Sequence, residues 1–157
     1  MTTAVQTSIS TRQSLEETIG NTPLIKLRRV TQGVPAGVQV FAKAEHLNPG
    51  GSVKDRPALA MILEAERSGR LRPGKTILDA SSGNTGIAYG MIAAERGYDV
   101  NLCLPRNASA ERKQILRAYG VEIIETSSFE GTDGAQILAR QLAEQFPNKY
   151  VYLDQYN

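Results

Sequence analysis

Along this chain the spacing of apolar residues switches between two periods, and each switch falls at turn-forming residues. Val38 to Ala44 alternates and is rich in β-branched and aromatic side chains, which predicts a strand. Ala58, Leu59, Met61, Ile62 and Ala65 then recur at helical spacing, with Gly69 placed to close that helix. Thr76 to Ala80 predicts a short strand, Ile87 to Arg96 an apolar helix ended by Gly97, and residues 99–104 a strand stopping at Pro105. Ser109 is placed to cap a helix running to Tyr119, and Val121 to Glu125 reads as the next strand. A helix opened by Thr132 or Asp133 stops before Pro147, and Tyr150 to Leu153 begins one more strand.

Nearer the start, Ser14 to Thr18 predicts a short helix ending at Gly20, Leu24 to Leu27 a short strand, and residues 28–37 a loop. Residues 1–12 are polar and aperiodic, which predicts a flexible N-terminal arm. No sequence repeat of fixed period is present. Strand and helix alternating across short turns predict parallel βαβ units, hence an α/β domain over residues 13–157 with three α/β/α layers and a mainly parallel sheet.

That architecture puts ligands outside the carboxyl ends of the strands, against helix N-termini. Two stretches occupy such places. In Asn48-Pro49-Gly50-Gly51-Ser52-Val53-Lys54-Asp55-Arg56, Ser52 is placed as an N-cap with Asp55 three residues on, so Lys54 falls in the first helical turn. The unpaired N–H groups and dipole there favour the neutral amine over the ammonium by up to ~1 kcal/mol, the form a nucleophile needs. On position alone, a solvated lysine is the commoner outcome. The second stretch, Ser81-Ser82-Gly83-Asn84-Thr85-Gly86, leads from a strand into a helix with glycines, hydroxyls and an amide, and reads equally as an anion-binding turn or a structural one. It has neither Gly-x-Gly-x-x-Gly nor a Walker lysine, so dinucleotide or ATP binding is not indicated.

Composition narrows the picture. A chain of 157 residues, 41% hydrophobic and 22% charged, suits one globular domain. Net charge is only +2, from 18 basic and 16 acidic residues with no basic block, so neither nucleic acid nor a membrane surface is expected as partner. Cys103 is the one cysteine, and its apolar strand context predicts a packed side chain rather than a reactive thiol. No apolar run is long enough to span a bilayer, and no signal-peptide pattern follows Met1. His46 reads as a turn residue, Asp55 and Arg56 as a cap and a structural ion-pair partner, and Glu111, Arg112, Lys113 and Arg117 as a solvated helix face.

The segment Asn48 to Arg56 resembles, at every residue, the Schiff-base lysine segment of the fold-type II pyridoxal-phosphate enzymes of the cysteine synthase and cystathionine β-synthase family. Ile19-Gly20-Asn21-Thr22-Pro23-Leu24, Ser81 to Gly86, and Asp154-Gln155-Tyr156-Asn157 are similar to further motifs of that family, although Ser81 stands where threonine is commoner. The resemblance implies pyridoxal 5′-phosphate as cofactor, Lys54 as its catalytic lysine and Asn84 as the contact to its O3′ oxygen. It implies that Ser81, Ser82, Asn84, Thr85 and Gln155 hold the carboxylate of an amino-acid substrate. The implied reaction is β-replacement forming L-cysteine from O-acetylserine and sulfide, in the cytoplasm. Cystathionine β-synthase chemistry and serine or threonine dehydratase-type β-elimination stay open, as does a catalytically silent truncated domain. In that family the phosphate loop and the hydroxyl facing the pyridine nitrogen lie in a C-terminal half, so residues 13–157 are expected to be the N-terminal half, forming a homodimer when the rest is supplied.

Overall fold

The computed structural model describes residues 14–35 and 37–156; the arm expected over residues 1–12 and the terminal Asn157 lie outside them. The described chain opens with a 3-10 turn at Glu16–Thr18, shorter than the helix expected there. Strands β1 (Leu24–Lys26) and β2 (Phe41–Lys43) then pair antiparallel, with Ile25 opposite Ala42. The strand expected over residues 38–44 shrinks to three residues because β1, its ladder partner among the described residues, is that short.

A second 3-10 turn, Glu45–Leu47, leads to α1 (Asp55–Arg67), followed by β3 (Thr76–Ala80), α2 (Asn84–Arg96), β4 (Asp99–Pro105), α3 (Ala110–Ala118), β5 (Glu122–Thr126), α4 (Gly131–Gln145) and β6 (Tyr150–Tyr152). Most of these boundaries fall within a residue or two of the sequence reading, as helix and strand ends generally do. Ser109 caps α3 by accepting from the Arg112 N–H, and Gly69, Gly97 and Gly120 follow their helices in left-handed backbone. The four long-range strands form one all-parallel sheet in the order β5-β4-β3-β6.

Alternation along the strands divides the apolar residues between two faces. Ile77, Val100, Leu102, Leu104 and Val151 meet α1, α2 and α3 through Ile62, Ala88, Ile92 and Leu116. Leu78, Ala80, Cys103 and Tyr150 meet α4 through Ala135 and Ala139 on the other side. Helices therefore cover both faces, the arrangement an all-parallel sheet requires. Cys103 packs as a small apolar side chain, and burial pushes its thiol up to about 11. No helix among the described residues is long and apolar enough to cross a membrane.

On the helical face, α2 approaches the neighbouring elements closely at Gly90, where an added Cβ would stand 2.7 Å from Val121 Cγ2 and 3.2 Å from Tyr119 Cβ. Both atoms belong to stiff, packed positions. Gly90→Ala should accordingly destabilise the protein by roughly 1–2 kcal/mol, overpacking outweighing the gain of about 1 kcal/mol in helix propensity. Urea unfolding with an unchanged m-value and a lower midpoint is the expected result; a higher midpoint would contradict this packing.

Candidate active site at the carboxyl ends of the sheet

Strands β3, β4 and β5 progress one way across the sheet, after which α4 returns over the opposite face and adds β6 to the free edge of β3. The winding direction reverses at β3, and a crevice at the carboxyl ends of strands is the usual ligand site at such a reversal. The Ser81 to Gly86 loop leaves β3 at this point, and Gln155 follows β6. They touch: Gln155 Nε2 donates to the Ala80 carbonyl at 2.8 Å, and the Gln155 N–H donates to Asp79 Oδ2 at 3.2 Å.

Within the loop, Ser81 is buried and its Oγ accepts from the N–H groups of Gly86 (3.1 Å) and Gly83 (3.4 Å), which leaves its own O–H to donate. Gly86 allows the loop to lie this close, since a Cβ there would stand 2.7 Å from Leu102 Cδ1 and 3.0 Å from the Ser81 carbonyl oxygen. Helix α2 begins at Asn84, three residues before the expected Ile87, with extended Gly83 as N-cap and no side-chain cap. Asn84 and Thr85 are thus its first two residues, and their N–H groups have no intrahelical acceptor. Asn84 is exposed, Ser82 half-buried and Thr85 buried. Arg112 Nη1 donates to the Ser82 carbonyl at 3.3 Å.

Lys54 lies at the same end of the molecule. Arg96 pairs with Glu66, and Tyr89 meets Met61, so α1 and α2 run side by side in parallel and their N-termini, carrying Lys54 and Asn84, share one end. Lys54 is exposed, and its amine has no partner among the described residues. It occupies the N-cap position rather than the expected first helical turn. Gly51 turns through left-handed backbone, Ser52 Oγ accepts from the Lys54 N–H at 3.1 Å, and the buried Asp55 carboxylate accepts from the Gly50 N–H at 2.5 Å instead of completing a capping box. Burial raises the Asp55 pKa, and its Oδ1 is left without a hydrogen-bond partner.

Arg56 behaves as the ion-pair partner expected, donating from Nε and Nη2 to the two Glu45 carboxylate oxygens at 2.9 Å each. Glu45 also accepts from Thr22 Oγ1 (2.7 Å) and Asn48 Nδ2 (2.8 Å), and Asn48 Oδ1 accepts from the Gly20 N–H (2.8 Å). The Arg56 guanidinium, with Thr22, holds the Glu45 carboxyl down at about 2. In this way the Gly20 to Thr22 segment is bonded to the lysine-bearing segment.

The face proposed as solvated on α3 is not wholly so. Lys113 is buried, donating to the Arg106 carbonyl and Glu125 Oε1 at 2.7 Å each, because β5 runs beside its helix. Among the described residues, no group of three or more His, Cys, Asp or Glu side chains is arranged to hold a metal ion.

Asp79 was not singled out as a site residue, although a lone carboxylate inside an apolar strand was the visible signal. It is fully buried, with Oδ1 accepting from the Ala80 N–H at 2.7 Å and Oδ2 from the Tyr89 hydroxyl at 3.0 Å as well as from Gln155. Burial outweighs these donors and pushes its carboxyl up to about 6. A cavity of about 360 Å³, lined in part by Arg70, Arg72, Lys75 and Tyr150, opens at the opposite end, where β3 and β6 begin, and contains none of these residues.

One end of this doubly wound α/β sheet thus carries a lysine without a partner among the described residues, a hydroxyl-and-amide loop and unpaired helix N–H groups. The family model for "Pyridoxal-phosphate dependent enzyme" matches residues 15–157, and the chain belongs to that family. It is 48% identical over 147 residues to the cysteine synthase of Aquifex aeolicus, covering 93% of this chain and 45% of that protein. To cysteine synthase B of Escherichia coli it is 50% identical over 144 residues, covering 92% and 46%. The solved structure of cysteine synthase (OASS) from Entamoeba histolytica superposes with a TM-score of 0.88 at 38% identity, over 97% of this chain and 47% of that one. The chain therefore spans about half the length of each of these relatives. Two of the groups present fit the family's cofactor: the Lys54 amine suits its aldehyde and the exposed Asn84 amide suits its ring hydroxyl oxygen.

The raised Asp79 carboxyl makes stability pH-dependent. The native state holds this proton more tightly than the unfolded chain, so the contribution is fully present below the unfolded value of 3.8 and is lost as pH rises through about 6. Its size is on the order of 3 kcal/mol. Asp79→Leu, which cannot ionise, should remove this fall between pH 4 and 6 from the unfolding free energy; a fall as steep as the parent's would assign it to other groups.

Proposed function

We propose that this chain carries the lysine and substrate-carboxylate elements of an enzyme that makes L-cysteine from O-acetylserine and sulfide by β-replacement. The observation that carries the reading is the convergence of Lys54, the Ser81 to Gly86 loop and Gln155 at one end of the parallel sheet. Pyridoxal phosphate, when bound, supplies an electron sink for the substrate α-carbon. Lys54 is the amine that holds the cofactor and the base that moves the α-proton. Asn84 donates to the cofactor's O3′ oxygen. Ser81, Ser82 and Thr85, with the N–H groups that open α2, grip the substrate carboxylate, and Gln155 closes over it.

Fixing the carboxylate orients the α-hydrogen toward a single base, and this placement is the protein's chief contribution to rate. The partners are then a small amino acid and sulfide. The remaining functional groups, a phosphate loop and a hydroxyl for the pyridine nitrogen, belong to sequence beyond these residues, and the complete enzyme is a cytoplasmic homodimer. Residues 13–157 form one α/β domain of it.

The test is Lys54→Ala in the complete, cofactor-supplied enzyme. Cysteine formation from O-acetylserine and sulfide should fall by a factor on the order of 10² to 10⁴, and the yellow colour of the bound cofactor should be lost. Parental colour and turnover in the variant would refute the assignment.

A further inference from the structure

The segment carrying Gln155 is built around Asp79. Leaving β6, the chain bends at Asp154, which takes left-handed backbone at φ 51°, and this bend directs the Gln155 N–H into Asp79 Oδ2 at 3.2 Å. The Gln155 side chain then lies on the end of β3, its Nε2 2.8 Å from the Ala80 carbonyl. Asp79 meets three donors from three parts of the chain, namely the Ala80 N–H on β3, the Tyr89 hydroxyl on α2 and the Gln155 N–H after β6. Its side chain is fully buried, so no water replaces a missing partner.

We propose that Asp79 is the positioning residue for Gln155, its buried carboxylate fixing the turn after β6 so that the Gln155 amide is held at the substrate loop. This rests on the reading of Gln155 as a carboxylate-binding residue. Asp79 touches no substrate itself; it acts through the backbone of Gln155. Because the same strand end carries Ser81, one carboxylate sets the spacing between the two parts of the chain assigned to the substrate carboxylate.

The charge on Asp79 matters to this hold, since a proton on Oδ2 removes an acceptor that two donors share. The titratable groups facing it are Tyr89 on α2, Cys103 on β4, Tyr152 on β6, and Asp154 and Tyr156 beyond it, with Arg140 of α4 3.8 Å from Asp154. Burial, and more weakly Asp154, disfavours the Asp79 charge, so the carboxylate takes up its proton as pH falls through about 6 and becomes a weaker acceptor for the Gln155 N–H.

The test is Asp79→Leu in the complete cofactor-supplied enzyme, because the apolar side chain fills the same buried space and offers the Gln155 N–H no acceptor. Hydrogen exchange at the Gln155 N–H is expected to accelerate about tenfold or more while the Ile92 and Leu102 amides keep their protection. The KM for O-acetylserine should rise about tenfold with kcat changed less. Parental protection at Gln155 overturns the proposal. Loosened Gln155 with an unchanged KM upholds the positioning and overturns instead the substrate role of Gln155. Should the variant fail to fold, the parent protein decides: the Gln155 amide proton shift must titrate with the same midpoint as the Asp79 carboxyl carbon, and different midpoints overturn the proposal.

Discussion

Strand β3 is hydrogen-bonded on both sides, to β4 and to β6, and the rest of the candidate site follows from that pairing. Because β6, the last of the described strands, sits beside the first of the parallel set, residues about 75 positions apart in sequence meet at the carboxyl end of β3. The Ser81 loop and Gln155 are neighbours for no local reason. They are neighbours because α4 carries the chain back across the sheet, where Ala135 and Ala139 pack on Leu78 and Cys103.

Among the carboxylates at this end of the molecule, Glu45 and Asp79 act differently because their environments differ. Glu45 is partly exposed and surrounded by donors, so it stays ionised and ties Thr22 and Asn48 to Arg56. A single pair of that kind contributes little by itself; its effect here is to join several segments in one network. Asp79 has no cation against it. Its hydrogen bonds only partly offset its burial, which is why a group that normally ionises near 4 is pushed up to about 6. Tyr89 completes the arrangement, its own ionisation suppressed by burial and by the adjacent Asp79.

Much of the fold was legible in the sequence because apolar periodicity and terminal glycines act locally. Strand β3 was read to the residue, and Ser109, Gly69 and Gly97 closed or capped their helices as expected. What was not legible depended on partners distant in sequence. The length of β2 is set by β1, and the burial of Lys113 by β5. Lys54 sits at the N-cap rather than inside the helix because Asp55 turns back to Gly50, a local contact that a capping-box pattern does not distinguish. The motifs located the candidate residues; the strand order, which periodicity does not specify, explains how the Ser81 loop and Gln155 meet.

The central claim is that the Lys54 amine and the Asn84 loop serve one ligand. Borohydride reduction of the complete, cofactor-loaded enzyme, followed by peptide mass spectrometry, tests it most directly. The pyridoxyl group should be found on Lys54, and blocking the site with a carboxylate-bearing amino acid before reduction should lower that yield. Label on Lys43 or another lysine, with Lys54 unmodified, would contradict the account.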